Sequence, residues 1–238
     1  MSTRAVRSIY RLQLRLLSTK GRVLGLGAIG VLEILLALTV RGSDDPVSNA
    51  FSLISTAGLA GVVPIASLVL ASAALGDPAE DATLVHLWLR PIPRWTIAAG
   101  SWLGVLTLAV PLAVVPTAIT AAVCGVSVSF VIMTLCAALL GTLVYSALFV
   151  GLGLRVQRAL AWGLAYVLIW EGAIANAGAG LSRLAIRLYT RSLVRSSVAD
   201  EVTMRYPVGR AAAIIAPIVV TVAGLALATR RLARTDIA

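Results

Sequence analysis

The sequence predicts an all-α polytopic membrane protein with six transmembrane helices, an N-terminal amphipathic interfacial helix and a short cytoplasmic helix between two spans. Hydrophobic residues make up 59% of the 238 residues, and charged residues only 13%. A water-soluble domain carries about 25% charged residues, so this composition indicates a chain that is embedded in lipid. Its uncharged runs are long enough for helical spans of about 20 residues. We therefore expect residues 1–238 to form a single transmembrane domain.

The charge balance is strongly positive, with a formal net charge of +10. In a soluble protein this would indicate nucleic-acid binding, but here the basic residues lie at the ends of apolar runs. There they set the orientation of the spans and contact anionic headgroups, so we expect a lipid bilayer and no nucleic acid as partner. Cys124 and Cys136 lie in apolar sequence, which favours two small buried residues over a disulfide or a metal pair.

Residues 1–22 precede the first apolar run and are rich in arginine. The arginines recur at steps of three and four residues, so they share one face of a helix. This pattern predicts an interfacial helix on the membrane surface, and a plain basic tail that only sets topology is the alternative. Both interpretations place the N-terminus in the cytoplasm, and no cleavable signal is expected. The predicted interfacial residues are Arg4, Arg7, Arg11 and Arg15.

The spans follow from the distribution of charge. Sixty residues without a charge separate Arg94 from Arg155, which is enough for two spans and a tight turn. Pro64, Pro111 and Pro116 are expected to bend the helices that contain them. An even number of spans places both termini in the cytoplasm. The predicted spans cover about 23–40, 51–75, 96–118, 129–154, 159–177 and 211–229.

Two acids fall inside predicted spans, Glu33 in the first and Glu171 in the fifth. A charged side chain in the middle of a bilayer costs about 2.5–3.5 kcal/mol, so it usually faces the bundle or a cavity. Both are therefore candidates for the translocation path, or for a pair with Arg183 or Arg187. A protonated or hydrogen-bonded acid inside the bundle is the structural alternative.

Residues 178–210 form a second polar region between the last two predicted spans. Their arginines at four-residue spacing predict an interfacial or re-entrant helix, which the span count places on the outer side. The excess of positive charge favours the cytoplasmic side instead, so a topology with this region inside remains open. The predicted interfacial residues are Arg183, Arg187, Arg191 and Arg195.

The polar stretch 76–95 interrupts the apolar sequence between the second and third predicted spans. Residues 77–89 can form about three helical turns, because Asp77 and Pro78 suit a helix start and 90–93 ends it with two prolines. Leu84, Leu87 and Trp88 form an apolar patch at helical spacing. This shape is suited to docking into a groove on a cytosolic protein, and a helix that rests on lipid is the alternative.

Motifs for catalysis are missing from the sequence. It contains no G-x-x-x-x-G-K-[ST] phosphate loop, no G-x-S-x-G and no H-E-x-x-H pattern, and it has a single histidine. We therefore expect no enzyme activity, no catalytic residue, no metal and no cofactor in this chain.

The polar stretch resembles the coupling helix of ABC-2 type transporter permeases. The resemblance is carried by Glu80-Asp81-Ala82-Thr83-Leu84, by Leu87 and by Arg90-Pro91-Ile92-Pro93-Arg94. In that family the motif lies between the second and third spans, and an amphipathic N-terminal helix precedes six spans. Short re-entrant or interfacial helices also lie on the outer side between spans five and six in family members.

The resemblance implies a permease subunit of a bacterial ATP-driven exporter in the cytoplasmic membrane, with a lipid, drug or peptide as its hydrophobic or amphipathic substrate. Two copies of an ATPase subunit, which bind ATP and magnesium, would dock on residues 77–90. A second permease chain, identical or homologous, would complete the pathway. By resemblance the docking residues are Glu80, Asp81, Thr83, Leu84 and Leu87, with Arg90 and Arg94 at the edge of the headgroups. Trp88 is added to the docking surface as a member of the apolar patch.

Two other functions are compatible with the residues. A secondary transporter would couple transport to protons through Glu33 and Glu171. A membrane scaffold would transport nothing.

Overall fold

The computed structural model describes residues 2–76, 93–173 and 178–234. Every regular element in these ranges is a helix, which confirms the predicted all-α class. The helices are α1 (Ser2–Leu17), α2 (Lys20–Arg41), α3 (Pro46–Leu75), α4 (Arg94–Cys124), α5 (Val128–Gly153), α6 (Ala159–Glu171), α7 (Ala179–Ser182), α8 (Ile186–Arg195) and α9 (Arg210–Arg234).

Five helices, α2 to α5 and α9, are long and apolar enough to cross a membrane. The multi-pass architecture is therefore confirmed for the described part of the chain. The predicted fifth span begins at Ala159 as expected, but α6 has only 13 residues and is about 20 Å long. This is shorter than a hydrocarbon core of about 30 Å. Residues 174–177 lie outside the described residues, so a continuous span at 159–177 stays a prediction.

The first four long helices, α2 to α5, alternate in direction. Nε1 of Trp102, near the start of α4, donates to Oγ of Ser146, near the end of α5, at 2.9 Å. We call the end of the bundle that holds Arg94 and Gly153 the basal end, and the opposite end the apical end. Helix α9 runs parallel to α5, because Gly224 faces Ala147 and Ala228 lies beside Gly151. The chain between α5 and α9 therefore returns from the basal to the apical end.

Helix α5 occupies the centre of the bundle and packs against α3, α4, α8 and α9. Its sequence is apolar on all sides, which is typical of a buried helix or of a membrane span. Gly141, at its middle, lets two neighbours approach: a Cβ there would lie 3.2 Å from Val63 of α3 and 3.5 Å from Thr190 of α8. At this glycine, α5 thus packs against both the long α3 and the short α8.

Wider π-helical turns occur close to two of the prolines. Residues Ile54–Val62 precede Pro64 in α3, and Val110–Val114 contains Pro111 in α4. A proline has no backbone N–H and clashes with the carbonyl four residues before it, so the hydrogen-bond ladder shifts locally. Pro116 has a different role, because it packs on Gly30 of α2.

Helix α1 packs lengthwise along the basal half of α4. Ile9 lies against Gly100 and Gln13 against Gly104, so each helix advances by four residues between the two contacts. The Tyr10 hydroxyl lies 3.2 Å from Oγ1 of Thr107 in the same helix pair. The prediction of a helix within residues 1–22 is confirmed, and its placement on a membrane surface stays a prediction.

The outer surface of the bundle is apolar. Leu24 and Leu38 on α2, and Ile215 and Val222 on α9, are each more than half exposed. A contiguous apolar surface of this kind is rare on a soluble monomer. It is the surface expected of helices that contact lipid chains.

We expect Gly104→Val to separate α1 from α4. A Cβ at this position would lie 2.8 Å from Cβ of Gln13, so the two helices must move apart, at a cost of about 1–3 kcal/mol. Thermal unfolding of the purified chain in detergent should show a lower melting temperature. Gly27→Val is the matched control, because no atom lies within 4 Å of a Cβ at Gly27. An equal decrease in melting temperature in both variants would contradict the packing of α1 on α4.

Candidate functional site

The predicted docking surface lies mostly outside the described residues. Its members Glu80, Asp81, Thr83, Leu84, Leu87, Trp88 and Arg90 fall within 77–92. Arg94 is described: it is the first residue of α4 and its side chain is half-buried. The docking roles therefore stay predictions, while the helix ends on both sides of the stretch belong to the described residues.

Those helix ends are joined by a buried glutamine of α1. Nε2 of Gln13 donates to the carbonyl of Ala74 in α3 at 3.1 Å and to Oγ of Ser101 in α4 at 3.2 Å. Gln13 is 1% exposed, because it lies one turn from Ile9 and one turn from Leu17 on the face that packs on the bundle. The N-terminal helix is thus bonded to both helices between which the polar stretch runs.

The basic face of α1 points away from the bundle. Arg7, Arg11 and Arg15 are exposed, on the side of the helix opposite Gln13. Leu12 and Leu16 are also exposed, so the free part of the helix presents both charge and apolar surface. The side chain of Arg4 lies outside the described residues. Contacts with lipid headgroups remain a prediction for all four arginines.

Glu33 is a buried carboxylate between α2, α3 and α4. It is 2% exposed, and its Oε2 accepts a hydrogen bond from Oγ1 of Thr117 at 3.1 Å. Its Oε1 has no hydrogen-bond partner and lies beside Gly58, where a Cβ would come within 2.7 Å. Ser55 and Thr120, three residues from these neighbours, also have unpartnered hydroxyl oxygens. The apical half of the bundle therefore contains an incompletely bonded polar region.

Glu171 has a different environment, because it caps the N-terminus of α8. Its Oε1 accepts from the backbone N–H of Ile186 and its Oε2 from that of Arg187, both at 3.0 Å. The Tyr166 hydroxyl donates to Oε1 at 3.0 Å. A carboxylate at a helix N-terminus satisfies free N–H groups and compensates the positive end of the helix dipole. The arginine that Glu171 contacts is thus bound through its backbone rather than its guanidinium.

Helix α8 enters the bundle instead of lying across its apical end. Thr190 is 1% exposed and packs at Gly141, the middle of α5. The guanidinium of Arg191 lies 5.8 Å from the ring centre of Phe51 in α3. Of the four arginines at four-residue spacing, Arg183 is exposed and precedes α8. The other three belong to α8 and are half-buried, with Nε of Arg195 bonded to the carbonyl of Val202 at 3.0 Å.

The predicted site residues are therefore distributed over separate regions of the described structure. Glu33 is bonded to α4, and Glu171 to α8. Sequence reasoning missed Gln13, whose only signal is a polar side chain on the apolar face of α1. No protein-family model matches the sequence, and no curated protein matches it significantly. Function is consequently inferred from the residues, from their contacts and from the resemblance of the polar stretch to a known motif.

We expect Glu171→Ala to destabilise the protein. The change leaves the buried N–H of Ile186 and the partly buried N–H of Arg187 without an acceptor, and a buried unpaired group costs about 1–3 kcal/mol. Thermal unfolding in detergent should show the largest decrease in melting temperature for Glu171→Ala. The decrease should be smaller for Glu171→Gln, which keeps one acceptor oxygen. Glu201→Ala removes an exposed carboxylate and serves as the control. An alanine variant as stable as this control would show that the cap contributes nothing.

Proposed function

We propose that this chain is the permease subunit of an ATP-driven ABC exporter, powered by a separate ATPase subunit. The observation that carries this function is the motif Glu80–Leu84 with Arg90–Arg94, which lies between two long apolar helices. An acidic, leucine-containing segment that ends in a proline-basic run resembles the coupling helix of ABC-2 permeases. The chain itself has no phosphate-binding loop, so the energy of ATP must enter from another subunit.

Two features of the basal end support this function. The polar stretch leaves α3 and enters α4, and Gln13 bonds the ends of these helices through the Ala74 carbonyl and Ser101. Gly100 and Gly104 bring α1 close to α4 over the same region. A displacement of the stretch would therefore act on three bonded helices together.

The working complex would contain two ATPase subunits, which bind ATP and magnesium, and two permease chains. The basal end and both termini would face the cytoplasm of a bacterial cell, and residues 178–210 would belong to the outer side. The apolar spans suit a lipid, drug or peptide as substrate. Glu33 is a candidate residue of the pathway, since it is a buried polar group between three spans.

The test is co-purification of the native complex. Asp81→Arg with Leu84→Asp should reduce the recovered ATPase subunit and ATP-driven transport at least about tenfold, which corresponds to about 1.4 kcal/mol of interface energy. Asp44→Arg is the control, because it reverses an exposed charge at the apical end. A native complex without a P-loop ATPase, or a double variant with intact ATP-driven transport, would refute the function.

A proton-coupled secondary transporter is the second candidate. It is favoured by one observation: Oε1 of Glu33 has no hydrogen-bond partner although the residue is buried. In that case Glu33→Gln should abolish transport, and the Asp81/Leu84 double variant should retain it. If the chain is an ABC permease, the Asp81/Leu84 double variant should instead lose transport. Transport by proteoliposomes, driven either by ATP or by a pH gradient, separates the two.

A further inference from the structure

A cavity of about 200 Å³ lies between α8 and the connection 196–209. Its lining includes Glu171, which is 3% exposed. Half-buried Arg187 and Arg191 line its side, and exposed Thr203 and Arg205 lie toward solvent. The cavity is therefore lined by three arginines and one carboxylate.

The cavity carries more positive than negative charge, because three arginines and one carboxylate line it. Glu171 already binds the two backbone N–H groups of α8 and the Tyr166 hydroxyl. No described carboxylate forms an ion pair with Arg187 or Arg191, and Nε of each is buried without a hydrogen-bond partner. Buried donors and charges without partners are costly. An anion in the cavity would compensate the charge of these two guanidinium groups.

The wall over the cavity is held by bonds that do not use the cavity's own arginines. Nε of Arg195 donates to the Val202 carbonyl at 3.0 Å, and Arg210 donates to the Ser196 carbonyl at 2.7 Å. The backbone N–H of Val208 donates to Oγ of Ser192 at 3.2 Å. Arg195 thus fastens the connection to α8 and Arg210 fastens its start to α9, while Nε of Arg187 and of Arg191 bonds no described residue.

From this arrangement we propose that the cavity binds an anionic phosphate group, supplied either by a lipid headgroup or by free phosphate. Guanidinium groups donate to phosphate oxygens in pairs, and their planar geometry suits such oxygens better than an ammonium does. Arg187, Arg191 and Arg205 would supply these donors, and Thr203 and Tyr206 also line the cavity. This site goes beyond the proposed export function and does not depend on it.

The test measures ligand binding to the purified full-length chain in a neutral detergent. The probes are dihexanoyl-phosphatidylglycerol, dihexanoyl-phosphatidylcholine and inorganic phosphate, and the readout is the dissociation constant from ligand-induced thermal stabilisation. We expect the anionic lipid or inorganic phosphate to stabilise the protein, and phosphatidylcholine to have little effect. Binding of the anionic lipid alone assigns the headgroup as the source, and equal binding of inorganic phosphate assigns the free ion.

Arg187→Gln with Arg191→Gln should weaken binding at least about tenfold for the probe that binds the wild-type chain. Each substitution removes a charge-assisted hydrogen bond to the anion. Arg187→Lys with Arg191→Lys keeps the charge, so its loss of binding affinity should be smaller than that of the glutamine double variant. Arg205→Gln changes an exposed side chain at the mouth and tests the site if the double variant does not fold. Arg41→Gln is the control, because it removes an exposed charge from the apical end of α2.

Two results would overturn the site. One is a wild-type chain that neither the anionic lipid nor inorganic phosphate stabilises. The other is a loss of binding in Arg41→Gln as large as that in the cavity variants, because binding would then depend on surface charge alone.

Discussion

A helix that begins inside an apolar bundle needs acceptors for its first N–H groups, because a buried N–H without a partner is costly. Glu171 meets this constraint for α8 with both of its carboxylate oxygens. Because the carboxylate is held at the end of α6, it joins two short helices that together return the chain toward the apical end. The position of α8 beside the middle of α5, and the cavity above it, depend on this interaction.

Small residues set how closely the helices approach. Lipid chains are as apolar as leucine, so membrane helices associate through close packing and polar contacts more than through the hydrophobic effect. Gly163 of α6 faces Leu68 of α3 so closely that a Cβ there would collide with it, and Gly30 does the same toward Pro116. At Gly141 the central helix accepts α3 and α8 together. The bundle is thus assembled at points where one partner has almost no side chain.

The long helices were predictable because charge and hydropathy are properties of the local sequence. The uncharged run between Arg94 and Arg155 correctly indicated α4, α5 and the turn between them. The partner of Glu171 was not predictable. Its carboxylate accepts from a helix that begins 15 residues later in the sequence, and this contact depends on the tertiary fold. Arginines at four-residue spacing predicted a helix, but not that Arg187 and Arg191 are half-buried, since periodicity does not measure depth.

The packing of α1 on α4 also constrains the order in which the protein assembles during synthesis. Gln13 precedes Ser101, its partner in α4, by 88 residues. At a synthesis rate of about 5–20 residues per second, roughly 4–18 seconds separate the two on the ribosome. The first helix to emerge must therefore wait for the third long helix before it can dock. Until then its buried glutamine needs water or lipid headgroups as a temporary partner, so the N-terminal helix is made early and completes its packing late.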